Sequence, residues 1–185
     1  PVSARAMAKA ISTGTDRVLV VNPHEPDVTD FFTVPTEAVD AAAALADPLD
    51  DLSKPLFVAP DEGATSLATT TRDAYGRGDV DYFQKERDYD TGEVEVTPSD
   101  ATVEGRDVVL VDDIIATGGT MSGAIDALHD HDVGRVYACC VHPVLAGAAR
   151  TKLAAAGVEA VIGTDTIERA VSEVSVAPAV ADTVD

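Results

Sequence analysis

The sequence predicts an α/β fold in which a parallel β-sheet is flanked by helices on both faces. Short segments made almost entirely of Val, Leu, Ile and Ala recur along the chain, and helical patterns separate them. A strand that is apolar at every position fits a sheet covered on both faces, because a strand with one solvated face alternates apolar and polar residues. Ligands of such sheets bind at the carboxyl ends of the strands, so residues just after each strand are the candidates for function.

The predicted elements alternate in order along the chain. Strands are expected at 17–22, 55–59, 80–83, 107–111, 135–141 and 158–162. Helices are expected at 2–13, 37–46, 64–75, 120–130 and 146–156, the second because it is rich in Ala. A glycine follows the first, third and fifth of these helices, as is typical of helix ends. The polar residues 85–100 are expected to form a mobile loop or a hairpin.

The charge of the chain is strongly negative. It has 33 Asp and Glu against 13 Lys and Arg, which gives a net charge of -20. Such a surface repels the phosphates of nucleic acids and anionic lipids, so we exclude nucleic acid and membrane as main partners. The acidic residues are spread along the whole chain, which suits a cytoplasm rich in salt, where counterions screen the self-repulsion.

Cysteine usage and hydropathy favour a cytoplasmic protein. Cys139 and Cys140 are adjacent in an apolar segment, where neighbours point to opposite faces of a strand, so we expect two buried thiols. No signal segment opens the chain and no apolar run approaches the ~20 residues that span a bilayer. The chain begins at Pro1 rather than Met, so we expect that preceding residues are missing.

The segment 111–120 predicts a site for one phosphate. A buried strand leads into Asp112 and Asp113, and a loop then leads into a helix. Glycines let backbone amides approach a ligand closely, and the first amides of a helix point outward, where Thr120 can cap them. The residues expected to hold the phosphate are Ala116, Thr117, Gly118, Gly119 and Thr120.

The acidic pair narrows the choice of ligand. Two carboxylates beside a phosphate pocket would repel a bare phosphate, but they suit a ligand that also presents hydroxyls or a metal one sugar away. Ribose 5-phosphate has this shape, and we expect Asp112 and Asp113 to bind its hydroxyls. The alternative is an ordinary strand–turn–helix corner whose acidic residues face solvent.

The segment 111–120 resembles the signature of type I phosphoribosyltransferases and of their relatives, the ribose-phosphate diphosphokinases. Further segments resemble the diphosphokinases, and archaeal-type members most of all. They are 22–32, with a His after a strand and a Phe-Phe pair downstream, 59–64, 83–87, 140–147, 163–167 and 174–178. The resemblance covers the whole chain and implies a phosphoribosyltransferase-like fold with part of a second, similar domain.

The resemblance also implies a reaction, the transfer of the diphosphoryl group of ATP to the C1 hydroxyl of ribose 5-phosphate, which leaves AMP. It implies that Lys85 and Arg87 are catalytic, that His24 and Asp61 bind Mg²⁺, and that several subunits assemble. It further implies a diphosphate-binding loop formed by Asp61, Glu62, Gly63 and Ala64, although Ala64 departs from the glycine of many members. His24 has a structural alternative, a capping role beside Pro23.

Residues 1–48 would then be the second half of an N-terminal phosphoribosyltransferase-like domain, and 54–172 the C-terminal domain with the ribose 5-phosphate loop. The tail, 173–185, would pack on the first domain. The family's N-terminal stretch, which grips ATP, is not in this chain, so we expect the chain alone to bind ribose 5-phosphate and to be weak or inactive as a diphosphokinase. Two alternatives stay open, a phosphoribosyltransferase that uses phosphoribosyl diphosphate and a base, and a non-catalytic relative.

Overall fold

The computed structural model describes residues 2–87, 94–98 and 101–184, which divide into two compact units. The first unit contains residues 1–41 and 176–185, and the second contains residues 42–175. The interpretation of the first unit as part of a longer domain stays a prediction. Within the described residues, no helix is both long and apolar enough to cross a membrane.

The first unit is built around two short parallel strands. Its strands are β1 (Val18–Val21) and β2 (Thr36–Val39), and its helices are α1 (Val2–Ser12) and α5 (Ala177–Val184). A 3₁₀ helix, Pro26–Phe31, lies between the strands. The tail is fixed in this unit, since the Arg17 guanidinium donates to the Thr183 carbonyl at 3.1 Å.

The helix predicted at 37–46 is wrong. Residues up to Val39 belong to β2, and Ala42–Ala46 forms a 3₁₀ helix instead. The Ala-rich composition favours a helix locally, but the backbone of residues 37–39 pairs with β1, and that pairing outweighs the local preference there. The amide of Asn22, for example, donates to the Val39 carbonyl at 2.9 Å.

The second unit has a seven-stranded sheet in the order β5-β4-β3-β6-β7-β8-β9. All pairs are parallel except β4 with β5, which is antiparallel. The strands are β3 (Leu56–Ala59), β4 (Asp79–Arg87), β5 (Val94–Pro98), β6 (Val108–Ile114), β7 (Val136–His142), β8 (Ala160–Thr164) and β9 (Ser172–Val174).

Helices cover both faces of this sheet, as predicted. They are α2 (Thr65–Tyr75), α3 (Gly119–His129) and α4 (Ala149–Ala155). On one face, alternate strand residues such as Leu56 and Leu110 join Ile125 of α3 and Leu153 of α4 in one buried cluster. The intervening residue Phe57 lies on the other face. Its ring packs at an angle of 53° to that of Tyr75 of α2, with ring centroids 5.6 Å apart.

Several boundaries differ from the predicted ones. The strand β6 continues through Asp112 and Asp113, so the acidic pair lies inside the strand rather than after it. The short strand β9 and the helix α5 were not predicted, because three to eight residues carry little periodic signal. Cys139 and Cys140 are confirmed as buried free thiols.

The predicted loop or hairpin at 85–100 is described only in part. Its arms, β4 and β5, run antiparallel with Lys85 opposite Val96 and Arg87 opposite Val94, as a hairpin requires. Residues 88–93 and 99–100 lie outside the described residues.

Candidate active site

The candidate site lies where the parallel strands of the second unit end. Strands β3, β6, β7 and β8 pair in parallel, so their carboxyl ends share one edge of the sheet. The segments that follow β3 and β6 carry the predicted diphosphate loop and the predicted phosphate loop. This arrangement is the one in which α/β sheets bind their ligands.

The phosphate loop, residues 115–120, depends on one glycine. Gly118 has φ 74°, a backbone conformation that other residues rarely adopt, and it precedes α3 directly. A Cβ at this position would also lie 3.2 Å from the Ala149 carbonyl oxygen. Gly119 has neither constraint, since its φ is not positive and its nearest neighbour, the Thr117 hydroxyl, is 3.9 Å from a built Cβ. Of the two glycines in the loop, the backbone conformation therefore requires glycine at 118 alone.

The amides of this loop are available to a ligand. Within the described residues, the backbone N–H groups of 116–120 donate no hydrogen bond to the protein. Successive unpaired amides at the start of a helix form a concavity that binds anions. The loop therefore has the donors that one phosphate group requires.

Thr120 does not cap the helix as expected. The residue at the cap is Gly118, no side chain caps the helix, and Thr120 is the second residue of α3. Thr117 and Thr120 are both exposed, so their hydroxyls are accessible to a ligand.

Asp112 and Asp113 form a coupled acidic pair. The amide of Asp113 donates to Asp112 Oδ1 at 2.9 Å, and both side chains are half-buried. Burial, together with the negative charge of Asp113 and a smaller contribution from Asp61, raises the pKa of Asp112 to about 7. Hydroxyl donors or a cation would favour the ionised form of this carboxyl group. A sugar would supply the donors, and a metal ion would supply the charge.

The predicted diphosphate loop follows β3 and begins at Asp61. Asp61 is the N-terminal cap of the 3₁₀ helix Glu62–Ala64, and its Oδ1 accepts the Gly63 amide at 3.1 Å. A Cβ on Gly63 would lie 3.2 Å from the same oxygen, so the turn is tight. Ala64 is buried, whereas Asp61, Glu62 and Gly63 are exposed.

Asp61 and Asp112 carry the type of oxygen ligand that a magnesium ion prefers. The charge of Asp61 is the smallest of the causes that raise the pKa of Asp112. Mg²⁺ prefers oxygen ligands and usually combines one or two carboxylates with substrate phosphates and water. Within the described residues, no group of three or more potential ligands forms a complete protein cage for a metal.

Three predicted site residues are not brought together by what the structure describes. His24 is exposed after β1 in the first unit, so its joint binding of a metal with Asp61 in the second unit stays a prediction. Lys85 and Arg87 belong to β4 by their backbone. The catalytic role of their side chains likewise stays a prediction.

The sequence did not predict that a second segment hydrogen-bonds to the phosphate loop. The Leu145 amide donates to the Ile115 carbonyl at 2.9 Å, and the Ala146 amide donates to the Ala116 carbonyl at 2.8 Å. The position of residues 142–147 after a strand, at the edge where ligands bind, was the available signal. The pattern of neighbouring residues does not show which distant loop this segment contacts.

The fold and the phosphate loop together define a class of protein. A model of the phosphoribosyl transferase domain family matches residues 29–177, and the chain belongs to this family. The resemblance stated from the sequence is therefore confirmed.

Curated relatives make the comparison more specific. The chain is 63% identical over 183 residues to a protein of Halobacterium salinarum named ribose-phosphate pyrophosphokinase, and the match covers 98% of the chain and 64% of that protein. It is 44% identical over 191 residues to a protein of the same name from Methanopyrus kandleri, covering 100% of the chain and 64% of that protein. The chain thus spans about two-thirds of the length of these relatives.

A solved structure has the same fold over the whole chain. The crystal structure of phosphoribosylpyrophosphate synthetase from Mycobacterium smegmatis superposes with a TM-score of 0.79 at 29% identity, and covers 100% of this chain and 63% of its own. The glutamine phosphoribosylpyrophosphate amidotransferase of B. subtilis, at 17% identity and a TM-score of 0.51, shares the fold alone.

Proposed function

We propose that the protein is a ribose-phosphate diphosphokinase that transfers the diphosphoryl group of ATP to the C1 hydroxyl of ribose 5-phosphate. The observation that carries the proposal is the juxtaposition of unpaired amides at 116–120 with the acidic pair Asp112 and Asp113. The amides suit a phosphate group, and the two carboxylates suit the hydroxyls of a sugar. The 63% identity to a protein named for this reaction supports the same choice.

In the proposed complex, ribose 5-phosphate is the acceptor of the diphosphoryl group and binds along the phosphate loop. The 5-phosphate takes hydrogen bonds from the amides of 116–120 and from the hydroxyls of Thr117 and Thr120. The ribose hydroxyls donate to Asp112 and Asp113, and these bonds favour the ionised form of the pair. The C1 hydroxyl is then directed toward the space beside Asp61.

In the proposed reaction, the C1 oxygen forms a bond to the β-phosphorus of ATP while the bond from that phosphorus to the bridging α,β-oxygen breaks. AMP leaves with that oxygen, and the proton of the C1 hydroxyl is released. Lys85 and Arg87 supply positive charge to the phosphoryl group as its negative charge spreads over the equatorial oxygens. Mg²⁺, held by Asp61 with His24 as a further proposed ligand, would neutralise the charge of the ATP phosphates.

The proposal includes the cellular setting. The negative charge of -20 supports a protein that avoids nucleic acid and membrane surfaces, and two buried free thiols support a reducing cytoplasm. We further propose a homo-oligomer, with ATP and ribose 5-phosphate as the substrates. Sedimentation at several protein concentrations tests the assembly.

The activity test is to incubate the longest available form of the protein with ATP, Mg²⁺ and ribose 5-phosphate and to measure AMP, because the 185 residues alone are expected to be weak or inactive. We expect AMP to form only when ribose 5-phosphate is present, with an equal amount of phosphoribosyl diphosphate. The Lys85→Ala variant should lower the rate by about a hundredfold or more, because a charge that stabilises the transition state is lost. Lys152→Ala, which removes an exposed lysine of α4, is the matched control and should keep the rate.

Other results would contradict the proposal. Consumption of phosphoribosyl diphosphate with a purine or pyrimidine base, without AMP formation from ATP, would favour a phosphoribosyltransferase. Binding of ribose 5-phosphate by the longest available form of the protein, without turnover in the presence of ATP and Mg²⁺, would favour a non-catalytic relative.

A further inference from the structure

Residues 142–149, here called the bracing segment, run beside the phosphate loop. Three backbone hydrogen bonds join them: Ile115 donates to His142 at 3.3 Å, Leu145 to Ile115 at 2.9 Å and Ala146 to Ala116 at 2.8 Å. Two of these bonds occupy carbonyl oxygens of the loop. A backbone concavity binds an anion when N–H groups line it, whereas carbonyl oxygens repel the anion. A segment that hydrogen-bonds to the loop carbonyls therefore favours phosphate binding.

The bracing segment also packs tightly against the loop. A Cβ on Gly118 would lie 3.2 Å from the carbonyl oxygen and 3.3 Å from the Cα of Ala149, the last residue of the segment. Leu145 has φ 47°, a conformation that strains the backbone of a non-glycine residue, and its side chain is buried in the same cluster as Ile115 and Met121. Packing therefore holds this backbone in a strained conformation that aims its amide at the loop.

One side-chain hydrogen bond anchors the start of the bracing segment. His142 Nδ1 lies 2.9 Å from the hydroxyl of Thr166, and that hydroxyl donates to the Val141 carbonyl at 2.8 Å. The Thr164 hydroxyl also donates to the Thr166 hydroxyl at 3.2 Å, and the donor between His142 Nδ1 and Thr166 is set by the histidine tautomer. The end of β7 is thereby joined to the residues that follow β8.

A second contact strengthens the same anchor. Pro143, the next residue of the segment, packs so closely on β8 that a Cβ on Gly163 would lie 2.8 Å from Pro143 Cγ. The anchor is thus fixed by a hydrogen bond and by packing, and neither involves the loop itself.

We propose that His142 and Thr166 are positioning residues for the phosphate loop, whose hydrogen bond fixes the bracing segment and so keeps the loop carbonyls turned away from the phosphate. This inference rests on the proposed function. It assigns a role to two residues outside the loop and outside the acidic pair.

The test compares the dissociation constants of ribose 5-phosphate and inorganic phosphate for the unaltered protein, T166V and T166S. Valine keeps the shape of threonine and removes the hydroxyl, whereas serine keeps the hydroxyl. We expect T166V to raise both constants by about three- to tenfold, because it removes the bonds of the hydroxyl to His142 and to Val141, and T166S to restore them. A loss of stability alone would lower the unfolding temperature and leave the constants of the folded protein unchanged.

H142L removes the other partner of the same hydrogen bond and serves if T166V does not fold. In the double variant H142L/T166V we expect an increase smaller than the product of the two single increases, because the bond that the two residues share can be lost only once. Equal constants for T166V and the unaltered protein, or fully additive effects in the double variant, would overturn the inference alone. Failure of the unaltered protein to bind ribose 5-phosphate would overturn the proposed function, and this inference with it.

Discussion

Gly118 and Ala149 approach each other so closely that a Cβ on the glycine would lie 3.4 Å from the Cβ of the alanine and 3.2 Å from its carbonyl oxygen. Gly118 also has φ 74°. We therefore predict that Gly118→Ala weakens ribose 5-phosphate binding by at least about tenfold, because the loop must move and its backbone is strained. Titration calorimetry measures the change.

Gly119→Ala is the matched control for that experiment. Gly119 is exposed, its φ is not positive, and a Cβ there would meet nothing closer than 3.9 Å. The dissociation constant should change by less than about threefold, which is under 0.7 kcal/mol. Equal losses in both variants would contradict the role given to Gly118.

The pKa of Asp112 predicts a dependence of stability on pH. Burial and the charge of Asp113 raise this pKa from 3.8 to about 7, so the folded protein holds a proton that the unfolded chain releases near pH 4. The contribution of Asp112 to the free energy of unfolding is therefore fully present below pH 4 and is lost as the pH rises through 7.

Asp112→Asn should remove this dependence. At pH 8 the variant should be more stable than the unaltered protein by about 1–4 kcal/mol, and the difference should shrink as the pH falls toward 4. Denaturant unfolding of both proteins between pH 4 and pH 8 measures it. A difference that stays constant over this range would show that Asp112 ionises normally.

At the opposite end of β6, Asp107 is buried and joins three segments. Its carboxylate pairs with Arg135 at 2.7 Å and accepts the Ser53 amide at 2.7 Å, and these interactions outweigh burial and lower its pKa. A Cβ on Gly134 would lie 2.7 Å from Asp107 Oδ1 and 2.8 Å from the Arg106 carbonyl. Gly134→Ala should therefore cost about 1–3 kcal/mol of the free energy of unfolding.

Gly123→Ala provides the comparison for Gly134→Ala in the same unit. Gly123 is exposed within α3 and a Cβ there meets nothing within 4 Å. Alanine should stabilise the helix by about 0.5–1 kcal/mol. If thermal unfolding shows the two substitutions shifting stability in the same direction, the packing described around Asp107 is wrong.

The acidic surface predicts that the protein is more stable in salt. A net charge of -20 repels itself, and the screening length falls from about 10 Å at 0.1 M salt to about 3 Å at 1 M. The midpoint of thermal unfolding should rise steadily from 0.1 M to 2 M KCl. A midpoint that is already maximal in dilute buffer would contradict adaptation to a salt-rich cytoplasm.

The sequence predicted those features of the fold and the site that depend on residues close together in the chain. The phosphate loop could be found because a strand, an acidic pair, a glycine turn and a helix follow each other within 111–120. The helix at 37–46 was wrong because residues 37–39 pair with residues of β1 that lie 18 positions earlier in the chain. The bonds from Leu145 to Ile115 and from His142 to Thr166 join residues 30 and 24 positions apart, and no local pattern encodes them.

The most direct test of the account is to follow the backbone amides by nuclear magnetic resonance while ribose 5-phosphate is added. We predict that the amides of 116–120 shift with one saturable dissociation constant, since they are the unpaired donors of the phosphate loop. Inorganic phosphate should shift the same amides at higher concentration. Saturable binding that leaves these amides unmoved, or no binding, would contradict the assignment of this loop as the ribose 5-phosphate site.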